Sequence, residues 1–183
     1  MTPDAVLDYW FTELTPGDWF RRCERIDRDL SNRFLALLEI TAAGESWHWR
    51  VTPRGRCAEI IVLDQFSRNI FRDEARAFAQ DAMALALAQE AVAAGDDLRL
   101  PAPQRHFCYM PYMHSESLRI HDEALRLFAA LGDRRALYAE RRHRQELERF
   151  GRYPARNRAL GRATTPAERA WLEARRPSDD RRG

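Results

Sequence analysis

The 183-residue chain has the length of one domain, and 45% hydrophobic residues, 32% charged residues, 8 Gly and 9 Pro exclude wholesale disorder, a collagen-like repeat and a Gly-rich linker architecture. All 30 basic residues are Arg; against 28 acids they leave a formal charge of +2, unevenly placed, with 15 Arg and 20 acids in residues 1–130 and 15 Arg and 8 acids in 131–183. No apolar run reaches the roughly 18 residues of a membrane span, and Met1-Thr2-Pro3-Asp4 opens without a basic-then-apolar signal pattern, so a cytoplasmic protein with no membrane partner is expected.

Apolar residues recur at helical spacing and nowhere alternate over a strand's length, which predicts an all-α fold of about seven to nine helices: one domain over 1–176 and a frayed tail over 177–183. Pro3 opens a short helix bearing Val6, Leu7, Trp10 and Phe11, and Pro16-Gly17 ends it. A second helix starts at about Asp18 or Asp27 and runs to Ala43, with Gly44 as its stop. Residues 45–55, with Trp47 and Trp49, read as an ordered loop whose exposed part could pair two copies into a homodimer. A third helix covers roughly Cys57–Phe66, and its Ile60-Ile61-Val62-Leu63 run makes it central and buried. An Ala-rich helix follows from Asp73 to Ala94. Pro101 and Pro103 start a short helix through Phe107 that Pro111 interrupts. The last long helices span about Ser115–Leu131 and Arg134–Phe150; residues 151–163 form an Arg-rich loop, and Thr165-Pro166 opens a small helix holding Trp171. Cys23, Cys57 and Cys108 form no C-x-x-C pair and read as small buried hydrophobes.

Three segments carry chemistry. In Asp64-Gln65-Phe66-Ser67-Arg68-Asn69, the i,i+4 spacing sets Asp64 against Arg68 and Gln65 against Asn69, as a helix-end tie or as an anion hook. In Tyr109–Glu116, a helix N-terminus after a Pro break would be capped by Ser115 and complemented by Glu116, and His114 is a candidate acid or base. Neighbouring helix positions do not face one another, so His114, Ser115 and Glu116 are not a triad. His143 falls on the inward face of its helix amid Arg residues that suit carboxylate or phosphate. Phosphate-loop, dinucleotide, zinc-protease and nucleophile-elbow motifs are missing, and neither a metal nor another cofactor is expected.

The stretches VLDYWF (Val6 to Phe11), DWF (Asp18 to Phe20), IIVLDQFSRNIFR (Ile60 to Arg72), FCYMPYMHSE (Phe107 to Glu116) and RFGRYPARNRALGR (Arg149 to Arg162) resemble the bacterial domain-of-unknown-function family 924 over about residues 3–175. The resemblance implies a tetratricopeptide-like all-α fold and no particular reaction. It carries over Asp64, Gln65, Arg68, Asn69, His114, Ser115, Glu116, His143, Arg149, Arg152, Asn157 and Arg162 as the polar positions. Ser67 stands where that family's pattern has Pro, and Ala155 where it has His.

Three functions compete with a purely fold-locking role for these motifs. The first is a helical binding protein whose Arg/His-lined groove takes an acidic peptide or small anionic ligand. The second is a hydrolase or transferase in which His114 or His143, with Glu116 as a further catalytic candidate, moves the proton while Arg68 and Arg152 hold an anion. The third, nucleic-acid binding by the basic C-terminal third, is disfavoured by a pI of about 8.6 and interspersed acids.

Overall fold

The computed structural model describes residues 1–175 and is all-α, with no strand among the described residues. The tail expected over 177–183 lies outside them. Thr2 opens the first helix by accepting from Ala5 N–H (3.3 Å), and Pro3 occupies a position whose N–H would be unpaired anyway. The helices are α1 (Pro3–Asp8), α2 (Glu24–Ala42), α3 (Pro53–Ile61), α4 (Ser67–Ile70), α5 (Asp81–Ala93), α6 (Ala102–His114), α7 (Leu118–Leu131), α8 (Arg134–Phe150) and α9 (Pro166–Ala174). A wide π turn over Val62–Phe66 joins α3 and α4 into one rod, so eight helical rods among the described residues answer the seven to nine expected.

That rod is the centre of the molecule. Every residue from Cys57 to Ser67 is buried, and α1, α2, α5 and α6 pack around it. Ile60, Ile61, Val62, Leu63 and Phe66 are fully shielded, a gross hydrophobic gain of about 10 kcal/mol before chain entropy is counted. Tyr9, Trp10 and Phe34 close over Phe66 at ring separations of 4.9–6.1 Å. Glu59, fully buried on the same rod, accepts a two-pronged bond from Arg50 (2.7 and 2.8 Å).

Several expected boundaries move, each for a local reason. The third helix begins at Pro53 rather than Cys57, because Thr52 caps it by accepting from Gly55 N–H at 3.0 Å. The expected loop before it is a 3-10 turn, Trp47–Val51, in which Trp49 is buried and Trp47 is 65% exposed. The helix expected over Asp73–Ala94 is interrupted: Asp73 adopts a left-handed φ of 67°, a 3-10 turn covers Ala75–Phe78, and α5 starts at Asp81. Pro111 does not break α6, which continues to His114. An interior Pro costs about 3 kcal/mol, and burial of Phe107, Tyr109, Met110, Tyr112 and Met113 at about 1.5–3 kcal/mol each outweighs it.

This continuation reverses the expected polarity at His114. The histidine ends α6 instead of preceding a helix, Ser115 is an extended C-cap, and the next helix is entered through Ser117. The expected Ser115 cap and anion-binding N-terminus therefore do not form at this point. Gly132 (φ 78°) ends α7, and Asp133 caps α8 by accepting from Arg135 and Ala136 N–H at 2.8 and 3.2 Å. Past Gly151 the Arg-rich loop folds back onto the α6–α7 turn. The Tyr153 hydroxyl donates to Met113 O (2.6 Å), and Arg162 grips Glu116 with both terminal nitrogens (2.7 and 3.0 Å).

Candidate functional site

The π turn sets Asp64, 1% exposed, against the end of α6. Its Oδ1 lies 2.7 Å from His114 Nδ1 and 3.0 Å from Arg68 Nη1, and its Oδ2 accepts from Gln65 Nε2 at 2.5 Å. Burial alone pushes the Asp64 carboxyl up, but Arg68 and His114 more than offset it and hold it below the ordinary carboxylate range. An ionised carboxylate only accepts, so His114 donates from Nδ1. Burial, followed by repulsion from Arg68, pushes the imidazole down to about 4. At neutral pH His114 is therefore uncharged, with Nε2 as its acceptor and basic atom.

A second carboxylate organises the cations. Asp81, on the first turn of α5, lies 2.9 Å from Arg68 and accepts from Arg156 Nη1 at 3.1 Å. Arg156 also donates to the His114 carbonyl (2.7 Å), and its guanidinium lies 4.8 Å from the Phe78 ring centre and 4.7 Å from that of Tyr153. Burial and the nearby Arg68 lower the Arg156 pKa despite Asp81. By contrast, Asp64 and Asp81 outweigh the effect of burial on Arg68 and raise its pKa. Arg68, His114, His143 and Arg156 line a cavity of about 560 Å³, joined by Arg175 and Glu146. Its wall presents three guanidiniums and one carboxylate.

Both imidazoles also line a larger cavity of about 640 Å³, with Trp19, Phe20, Met110, Met113, Asp133 and Arg135 among its other lining residues. His143 donates from Nδ1 to Ala139 O (2.8 Å), and burial lowers its pKa. A neutral His143 facing a carbonyl donates from Nδ1, which leaves its Nε2 as acceptor.

The residues expected at the site separate into two groups. Asp64, Gln65, Arg68, His114 and His143 converge on or directly behind the smaller cavity. Asn69 sits behind them, donating to Gln65 O and accepting from Arg72, which itself holds Asp27. The second group is occupied elsewhere. Glu116 is bound by Arg162 and by the Tyr153 N–H (2.8 Å), and makes no bond with His114. Ser115 contributes its carbonyl to His121 Nε2 at 2.9 Å. Arg152, expected to hold an anion, grips Glu168 at 2.7 and 3.0 Å, and buried Asn157 donates to the same carboxylate. Arg149 lies 5.0 Å from the Trp171 ring centre. These contacts fasten α9 and the 151–163 segment to the rest of the fold.

Asp81 and Arg156 were missed. Asp81 lay within what read as one long helix, and Arg156 was indistinguishable from its Arg neighbours. Ala155, at the position where the resembled family has His, lines the smaller cavity. Among the described residues no group of three His, Cys, Asp or Glu side chains is placed to share a metal ion, and no helix is long and apolar enough to cross a membrane.

The profile of a family described as bacterial protein of unknown function (DUF924) matches residues 6–176. A solved structure, the protein of unknown function ATU0120 from Agrobacterium tumefaciens, is 34% identical; the match covers 94% of this chain and 97% of that one, at a TM-score of 0.88. No curated protein matches the chain.

Proposed function

The chain belongs to the DUF924 family of bacterial proteins of unknown function, and from that premise we propose that it binds a small carboxylate- or phosphate-bearing ligand in the smaller cavity. The observation that carries this reading is the convergence of Arg68 and Arg156 on one wall beside a neutral His114 held by Asp64. Arg156 shares its one carboxylate partner, Asp81, with Arg68, and a bound anion adds a second acceptor for the two guanidiniums. A cavity of about 560 Å³ falls in the size range of small-molecule sites.

A second reading adds catalysis at the same place. The Asp64–His114 contact of 2.7 Å fixes the tautomer and leaves Nε2 free to take a proton from a substrate hydroxyl or water. Arg156 then takes the anion-holding role first considered for Arg152. The basic C-terminal third lends little to nucleic-acid binding, since Arg144, Arg152, Arg156, Arg162 and Arg175 are paired with carboxylates. A tetratricopeptide-like placement is supported by α6, α7 and α8 packing on their sequence neighbours, and a cytoplasmic address by cysteines that form no disulfide.

The test is calorimetric titration with inorganic phosphate and acetate, with thermal shift alongside, since a ligand at 100 times its Kd adds about 2.7 kcal/mol. Arg156→Ala should weaken binding at least about ten-fold, the loss of one charge-assisted contact. Unchanged affinity in both Arg156→Ala and Arg68→Ala would refute the proposal.

A further inference from the structure

We infer that the ligand is amphipathic, with its anionic head beside Arg68 and Arg156 and an apolar chain in the larger cavity; this rests on reading the smaller cavity as the anion site. The two cavities meet at the same pair of side chains, for His114 and His143 line both. The smaller cavity adds the guanidiniums of Arg68, Arg156 and Arg175. The larger adds Trp19, Phe20, Met110, Met113, Leu131 and Ala139, with Asp133 and Arg135 as its charged lining.

Charge complementarity and shape select the occupant. An inorganic anion would occupy only the end lined by Arg68 and Arg156 and leave the larger cavity of about 640 Å³, with its Trp19, Phe20, Met110 and Met113 lining, unfilled. A wholly apolar compound would make no use of the guanidiniums of Arg68, Arg156 and Arg175 that line the smaller cavity. A fatty carboxylate or an alkyl phosphate monoester meets both ends, and the unbranched Met110 and Met113 side chains adapt to a flexible chain. His106 also lines the larger cavity, and its buried Nε2 has no partner among the described residues. Burial keeps that ring neutral, so it can sit against an apolar chain or accept from a chain hydroxyl.

The mouth is built for such a ligand. Trp19 is anchored by donating from Nε1 to Trp10 O at 2.7 Å. Its neighbour Phe20 stays 65% exposed while lying 6.2 Å from the Phe107 ring in a stacked arrangement. A large aromatic ring kept on the surface at a cavity rim is a contact for an apolar chain.

The experiment is calorimetric titration of the whole protein with acetate, hexanoate, octanoate, octyl phosphate and octanol. Each methylene buried should tighten binding about four-fold, so octanoate should bind at least about 100-fold more tightly than acetate. Ala139→Phe, which narrows the larger cavity beside His143, should reduce that increment and leave acetate binding unchanged. Phe20→Ser, at the exposed rim, should weaken octanoate several-fold and carries the test if Ala139→Phe fails to fold. Arg156→Ala should weaken octanoate and octyl phosphate alike. Affinity independent of chain length, with Arg156-dependent acetate binding intact, overturns the amphipathic assignment and leaves the anion site standing. Octanol binding as tightly as octanoate overturns the head placement. Failure of every anion, short or long, refutes the anion site itself.

Discussion

The Asp64–His114 pair makes stability depend on pH in a defined window. His114 carries a folded pKa of about 4 against an ordinary 6.5, so between these values the unfolded chain binds a proton that the folded one refuses. The contribution is complete above pH 6.5, declines as the pH falls, and is lost as the pH passes through about 4. The full gap corresponds to about 3 kcal/mol, of which about 2 kcal/mol is gone by pH 5. Asp64 acts in the same direction but only below its ordinary value of 3.8, outside this window. His106 and His143 are also lowered by burial and add to the slope. Urea unfolding followed by Trp fluorescence from pH 7.5 to 5 measures it. His114→Gln, whose amide can still donate to Asp64, should flatten the dependence by about 2 kcal/mol relative to the wild type. If both proteins lose stability equally over that range, His114 is not held neutral by burial and the electrostatic account of the site fails.

Two further perturbations separate fold from site. Gly55→Ala should cost at least about 2 kcal/mol in chemical denaturation, because a Cβ there would stand 1.9 Å from the Trp49 carbonyl oxygen; wild-type stability would show that the 3-10 turn does not pack on α3 as described. Arg152→Ala should lower Tm by leaving Glu168 without its two guanidinium bonds, while phosphate and acetate affinities stay at the wild-type level; lost affinity in a protein that melts normally would place Arg152 in the binding site after all.

The i,i+4 spacing of Asp64 and Arg68 was readable because a helix imposes it, and their 3.0 Å contact survives the intervening π turn. The His114–Asp64 bond was not readable: 50 residues separate the partners, and the bond requires α6 to run through Pro111. The same limit applied to the Arg-rich segment. Composition made Arg149, Arg152, Arg156 and Arg162 equivalent, whereas packing paired Arg152 with Glu168 and Arg162 with Glu116 and turned only Arg156 toward the cavity.

Local sequence by itself determined the all-α class, the central Ile60–Leu63 rod, and the stops at Gly44, Gly95, Gly132 and Gly151, where a left-handed φ ends each helix. These features depend on side-chain period and on backbone freedom within a few residues. Only the tertiary structure decided which polar residues lock the chain and which face a cavity. A charged side chain's role is set by whichever opposite charge packing brings within about 3 Å, and the deciding partners, Asp81 for Arg156 and Asp64 for His114, come from 75 and 50 residues away.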